Sequence, residues 1–87
     1  MVLALINIYV ESKSLDKVAE AMKAFPEVKD LFEVTGDYDL VALVETPDIA
    51  SFRRFLKEKV LEIKGVNSTN TVMILYTHKR DGKLVEG

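Results

Sequence analysis

Two short segments of this chain, VLALINIYV (2–10) and LVALVE (40–45), are apolar on both of their alternating faces. Successive side chains of a β-strand point to opposite sides of its sheet, so a strand with one wet face alternates apolar with polar residues. A strand that lacks the alternation is covered from both sides and sits inside its sheet. With 87 residues there is room for one small domain and one modest core. Any fold for this chain has to place those two segments centrally and find cover for two faces.

The rest of the chain supplies cover for one. ESKSLDKVAEAMKAF brings Leu15, Val18, Ala19, Met22 and Phe25 at helical spacing, with Ser12 or Ser14 as N-cap and Pro26 as the stop. VKDLFEV (28–34) alternates, Val28, Phe32 and Val34 on one side and Lys29 and Glu33 on the other, which predicts an edge strand blunted by its charges. In TPDIASFRRFLKEKVLEIKG, Thr46 or Asp48 caps a second helix and Pro47 takes its first position. Ile49, Phe52, Phe55, Leu56, Val60 and Ile63 form its stripe, and Gly65 ends it. Val66 to Thr77 has strand composition, and HKRDGKLVEG reads as a tail or short arm, dividing the chain into a domain over 1–77 and an appendage over 78–87.

Strand, helix, strand, strand, helix, strand is the order of the ferredoxin-like α+β fold, βαββαβ, in which two helices lie on one face of a four-stranded antiparallel sheet. Its first and third strands are the central pair, in agreement with the two segments apolar throughout. The helices leave the other face of the sheet open. Residues of alternating parity, such as Leu3, Leu5, Leu40 or Ala42, would form an exposed patch of a size uncommon on monomers. Burying about 400 Å² of it per subunit would contribute on the order of 10 kcal/mol before association costs. A sheet-to-sheet dimer is therefore the expected smallest unit. Other staples are scarce: zero cysteines exclude disulfides and thiolate metal sites, and the single histidine, His78, cannot build an imidazole-rich metal centre.

A net charge of −2 with acids and bases interspersed lacks the basic stripe of a protein that binds DNA directly. MVLALINIYV is too short to span a membrane and has no basic leader or cleavage site, so the expectation is a soluble, cytoplasmic chain. Catalytic machinery is not evident: Asp37 and Asp39 are the paired carboxylates, Ser68 and Thr69 the hydroxyls, His78 the lone base beside Lys79 and Arg80. Neither GxxxxGK[ST] nor GxGxxG occurs, no cofactor is called for, and the expectation is that the chain is not an enzyme. Arg53, Arg54, Lys57 and Lys59, with Glu58 and Glu62 among them, read as a solvated helix face or else a partner contact.

The segment with most to say is VTGDYD (34–39), the turn that leads into LVALVE. Gly36 supplies positive φ and Asp37 can bond neighbouring amides, which is a sufficient local reason for a hairpin loop. The alternative is a binding loop. Asp37 and Asp39 offer carboxylate acceptors, Gly36 admits a ligand to the backbone, and Tyr38 adds an amphipathic wall with a hydroxyl. That set suits an ammonium group next to a small side chain, as in a free amino acid.

VTGDYDLVALVET, a following helix with Phe52 and Phe55, and then KGVNSTNTVMIL together resemble the effector-sensing (RAM) domain of the Lrp/AsnC, or feast/famine, transcriptional regulators. The family's Thr-Gly-x-Tyr-Asp turn corresponds to Thr35, Gly36, Tyr38 and Asp39, and its Gly-Val-x-x-Thr-x-Thr segment to Gly65, Val66, Thr69 and Thr71. The resemblance covers residues 1 to 77. It implies a ferredoxin-like domain that forms homodimers through its sheets and then a higher oligomer such as an octamer. It also implies an amino-acid effector bound between dimers at Gly36, Asp37, Tyr38 and Asp39, with Thr69 and Thr71 offering hydroxyls. The family carries an amino-terminal helix-turn-helix domain, whereas this chain begins at the first strand. The expectation is a stand-alone sensing domain without direct DNA binding, acting by ligand-linked assembly and by mixing with full-length Lrp/AsnC regulators. Two rival readings stay open: a ligand-free interaction module, and a small enzyme of the same fold, for which only Asn7 lies on a central strand.

Overall fold

The computed structural model describes residues 1–85. Strand β1 spans Val2–Val10, β2 Val28–Glu33, β3 Leu40–Thr46 and β4 Val66–Ile74. They form one antiparallel sheet in the order β2-β3-β1-β4, with the two doubly apolar strands in the middle. Helices α1 (Leu15–Lys23) and α2 (Ile49–Phe55) lie on one face, and α2 runs on into a single π turn, Leu56–Val60. This is the ferredoxin-like arrangement. The core lies between sheet and helices: Ala4, Ile6 and Ile8 of β1 and Leu40, Ala42 and Val44 of β3 meet Val18, Met22, Phe52, Phe55 and Val60.

Local chemistry explains the start of α2. At α2 the two candidate caps share the work: Asp48 Oδ1 accepts from Ser51 N at 2.7 Å, and Thr46 Oγ1 donates to Asp48 O at 3.0 Å. Ile49, expected in the apolar stripe, is the first residue of α2 and is instead 59% exposed. At α1, Ser14 holds the cap position without a side-chain bond, and Lys13 takes a left-handed φ of 71°. Gly65, at φ +107°, passes so close that a Cβ there would lie 2.7 Å from Ser14 Cβ. Its carbonyl accepts from Glu11 N at 2.8 Å, tying the α2–β4 connection to the start of α1. The glycine read from sequence as a helix stop is also a point of close approach to the start of α1.

The face away from the helices differs from expectation in detail. Leu3 and Leu5 do lie there, but Leu40 and Ala42 point into the core, and the open residues of β3 are Val41 and Leu43. The choice of parity on β3 depends on its register with β1, where Leu5 faces Leu43 and Ile6 faces Ala42. On β2 a bulge between Val28 and Asp30 shifts the pairing. Val28 and Leu31 therefore share the core side, and Phe32, expected beside Val28, comes to the open face opposite Val41 at 55% exposure. Val72 and Ile74 of β4 complete an apolar stripe across all four strands.

Beyond β4 the described part of the appendage is a small hairpin, β5 (Lys79–Arg80) with β6 (Lys83–Leu84). Asp81 and Gly82 turn it with φ of 52° and 78°, the two positive values that a type I′ turn requires and that Asp-Gly supplies readily. Glu86 and Gly87, the end of the expected arm, lie outside the described residues.

Candidate functional site

The β2–β3 turn is held to the end of β1 by one residue. Asp39 N donates to Ile8 O at 2.9 Å, Asp39 O accepts from Val34 N at 3.0 Å, and its Oδ2 accepts from Val10 N at 2.9 Å. The β1–β3 ladder has its last rung at Ile8 and Leu40, and the Asp39 carboxylate extends it by one further bond. Asp39 is thus anchored by backbone and side chain. Its expected role as a ligand acceptor is limited to the carboxylate capacity that Val10 leaves over.

Asp37 stands differently. It is exposed at the tip beside Gly36, whose φ of +104° opens the turn and whose surroundings leave a Cβ clear space. Among the described residues its carboxylate accepts no hydrogen bond. Tyr38 folds back onto Tyr9, ring centroids 4.7 Å apart and planes tilted by 47°. Tyr9 belongs to the open face of β1, in register with Ser68 of β4. Burial, then the nearby charges of Asp37, Tyr38 and Asp39, push the Tyr9 phenol above its ordinary 10.0, so at neutral pH it remains an O–H donor. Gly36, Asp37, Tyr38 and Tyr9 together present backbone, an acceptor, two aromatic walls and phenolic hydroxyls at one corner of the sheet. Tyr9 was legible in principle: in an antiparallel β1–β3 pair, the residue after Ile8 must lie beside the turn.

Thr69 and Thr71 do not join this group within one chain. They pair with Ile8 and Ile6 on the helix side of the sheet and are half-buried there, whereas the tyrosines lie on the open side. The hydroxyl in register with Tyr9 is that of Ser68, because strand alternation reverses faces at each residue. Other sequence candidates lie elsewhere. His78 is exposed and packs edge-on against Tyr76 at 4.8 Å, beside a cleft of about 360 Å³ that also touches Leu3, Leu43 and Ile74. Asn7 sits on the open face between Val41 and Asn70. No three metal-ligating side chains cluster among the described residues. No helix there is long and apolar enough to cross a membrane.

Residues 3–84 match the family model of the Lrp/AsnC ligand-binding domain. The transcriptional regulator FL11 of Pyrococcus furiosus is 35% identical over 83 residues, 95% of this chain and 54% of that protein. The chain spans about half the length of the curated relatives it matches. Among solved structures, TTHA0845 of Thermus thermophilus superposes with a TM-score of 0.86 at 30% identity, covering 92% of this chain and all of that one. The transcriptional regulator NMB0573 of Neisseria meningitidis, solved as an L-Met complex, shares the fold with a TM-score of 0.86 at 23% identity, over 97% of this chain and 56% of that one. With its sheet order, its Thr-Gly-Asp-Tyr-Asp turn and a family match over nearly its full length, the chain belongs to the Lrp/AsnC family, as a ligand-binding domain of that family.

Proposed function

We propose that this domain senses a small amino-acid effector at the β2–β3 turn and answers by a change in assembly. The observation that carries the reading is the division of labour between the two aspartates. Asp39 is bonded to Ile8, Val10 and Val34 and fixes the turn, while Asp37 stands exposed next to the Tyr9–Tyr38 pair. A fixed frame with one available carboxylate suits an ammonium group, and an aromatic wall suits the side chain beside it.

The turn lies at a corner of the sheet, where other subunits complete the site. The apolar open face forms the homodimer, and dimers meet at the turns in an octamer. An effector that binds only the assembled state stabilises it by RT ln(1 + [L]/Kd) per site, about 2.7 kcal/mol at a hundredfold excess over Kd. Thr69 and Thr71, on the other side of the sheet, contribute only if a neighbouring subunit presents them. Mixed assemblies with full-length Lrp/AsnC regulators would pass the signal to DNA-binding partners.

The test is a thermal-shift screen of the twenty amino acids, with L-Met among the first, combined with mass by light scattering. At least one amino acid should raise the melting temperature and alter the mass, and Asp37→Ala should abolish both responses while leaving the unliganded melting temperature within a degree or two. Silence from all twenty would leave a ligand-free interaction module as the better reading.

A further inference from the structure

At the end of the sheet remote from the turn, a cleft of about 330 Å³ opens between the α1–β2 connection, the end of β3 and the outer side of α2. It is formed by one chain alone. Its charged lining is balanced: Glu27 and Glu58 against Arg54 and Lys59. Thr46 and Ser51 add hydroxyls, and Phe55 supplies an apolar wall.

Three features set these residues apart from an ordinary solvated helix face. Lys59 is fixed, with Nζ donating to Glu27 Oε2 at 2.9 Å and lying 5.5 and 5.9 Å from the ring centroids of Phe25 and Phe55. The second oxygen of Glu27, Oε1, is buried and has no hydrogen-bond partner among the described residues. An acceptor removed from water in this way costs about 1 to 3 kcal/mol unless a donor reaches it. Glu58 and Lys59 are carried by the π turn, closed by Leu61 N donating to Leu56 O at 2.9 Å. Such turns interrupt helices frequently at functional sites.

The Glu27 carboxyl is pushed up by burial, but the Lys59 ammonium outweighs this and holds it below its ordinary 4.5, so it is ionised at neutral pH. Arg54 keeps most of its donors: among the described residues its one side-chain partner is Ser51 Oγ at 3.4 Å, and it lies beyond ion-pair distance of Glu58 one turn away.

We infer that this cleft is a second binding site, for a small zwitterion whose ammonium faces the carboxylates of Glu27 and Glu58 and whose carboxylate is held by Arg54. The balanced lining favours such a ligand over a net anion or cation, since either of those would leave one pair of like charges facing it. The volume is at the small end of ligand pockets, in keeping with an amino acid or dipeptide. This site does not depend on the reading of the turn, nor on any second subunit.

The experiment is an amide NMR titration of the full chain, ¹⁵N-labelled, with each of the twenty amino acids and with glycylglycine. Glycine betaine, which cannot donate N–H, and acetate, which has no ammonium, serve as controls. At least one zwitterion should give saturable shifts at Glu27, Thr46, Ser51 and Arg54, and neither control should. Both Arg54→Ala and Glu27→Gln should weaken that binding tenfold or more, whereas Asp37→Ala should leave it unchanged. Arg54 is exposed, so its truncation spares the fold even if Glu27→Gln disturbs it, and Arg54→Ala is then decisive. Absence of saturable shifts at these amides, equal shifts with betaine or acetate, or full affinity in Arg54→Ala would overturn the inference. Shifts at Gly36 to Asp39 report the turn separately, so either site can fail without the other.

Discussion

Gly36 and Gly65 have almost the same φ, +104° and +107°, and different reasons for it. Around Gly36 a Cβ would meet nothing within 4 Å, whereas at Gly65 it would collide with Ser14. Gly36→Ala should therefore cost only backbone strain, about 1 to 2 kcal/mol. Gly65→Ala adds overpacking against a helix start and should cost about 2 to 5 kcal/mol. Urea unfolding of the two variants compares them directly, and equal losses would refute the contact argument. The aspartates of the turn make a second such pair. Asp39→Ala leaves the part-buried Val10 N–H without its acceptor and should cost about 1 to 3 kcal/mol, while Asp37→Ala should be close to neutral in the same measurement. The sequence shows Gly36 and both aspartates as turn residues and Gly65 as a helix stop. It does not separate their roles, because Ser14 and Val10, which do so, are far away along the chain.

Element by element, existence and order were legible and the irregularities were not. The period of 3.6 residues locates both helices, alternation locates β2, the two doubly apolar runs locate β1 and β3, and β-branched composition locates β4. The β2 bulge and the π turn have no such signature: the bulge brings Phe32 to the open face, and the π turn carries Lys59, which bonds Glu27. The hairpin of the appendage did have one, Asp81-Gly82, between segments too short to suggest strands. Helix α2 allows a prediction in pH. Asp48 is held below its ordinary 3.8, first by the Ser51 amide, and Glu27 lies below 4.5 because its bond to Lys59 outweighs burial. A carboxyl depressed on folding contributes stability that is fully present above its unfolded pKa and is lost as pH falls through its folded value. The melting temperature should hold from pH 7 to about 5 and decline below the ordinary carboxylate range. Asp48→Asn and Glu27→Gln should be less stable than the parent at pH 7, with the gap closing by pH 2. A gap that stays constant across that range would exclude this linkage.

For the molecule as a whole, doubly apolar β1 and β3 imply on sequence grounds that the open face is covered, and the structure corrects which residues make up that face. Leu5 is its centre, paired with Leu43 on one side and Val72 on the other, with Leu3, Val41 and Phe32 nearby. Apolar burial there at about 25 cal/mol per Å² outweighs association costs only if several strands contribute together, which a contiguous stripe allows and scattered residues do not. A buried glutamate at the middle of a two-fold interface would meet its own copy as a like charge in an apolar setting, at a cost of several kcal/mol. Leu5→Glu should accordingly halve the mass seen by light scattering, or reduce it further if dimers build larger rings. It should also remove the dependence of melting temperature on protein concentration that a linked oligomer shows. Lys57→Glu, an equally drastic change of charge on the exposed side of the π turn, should leave both properties unaltered. If Leu5→Glu folds with unchanged circular dichroism and keeps the parent's mass, the open face is not the dimer contact, and the turns at its corner would then need another way to reach one another.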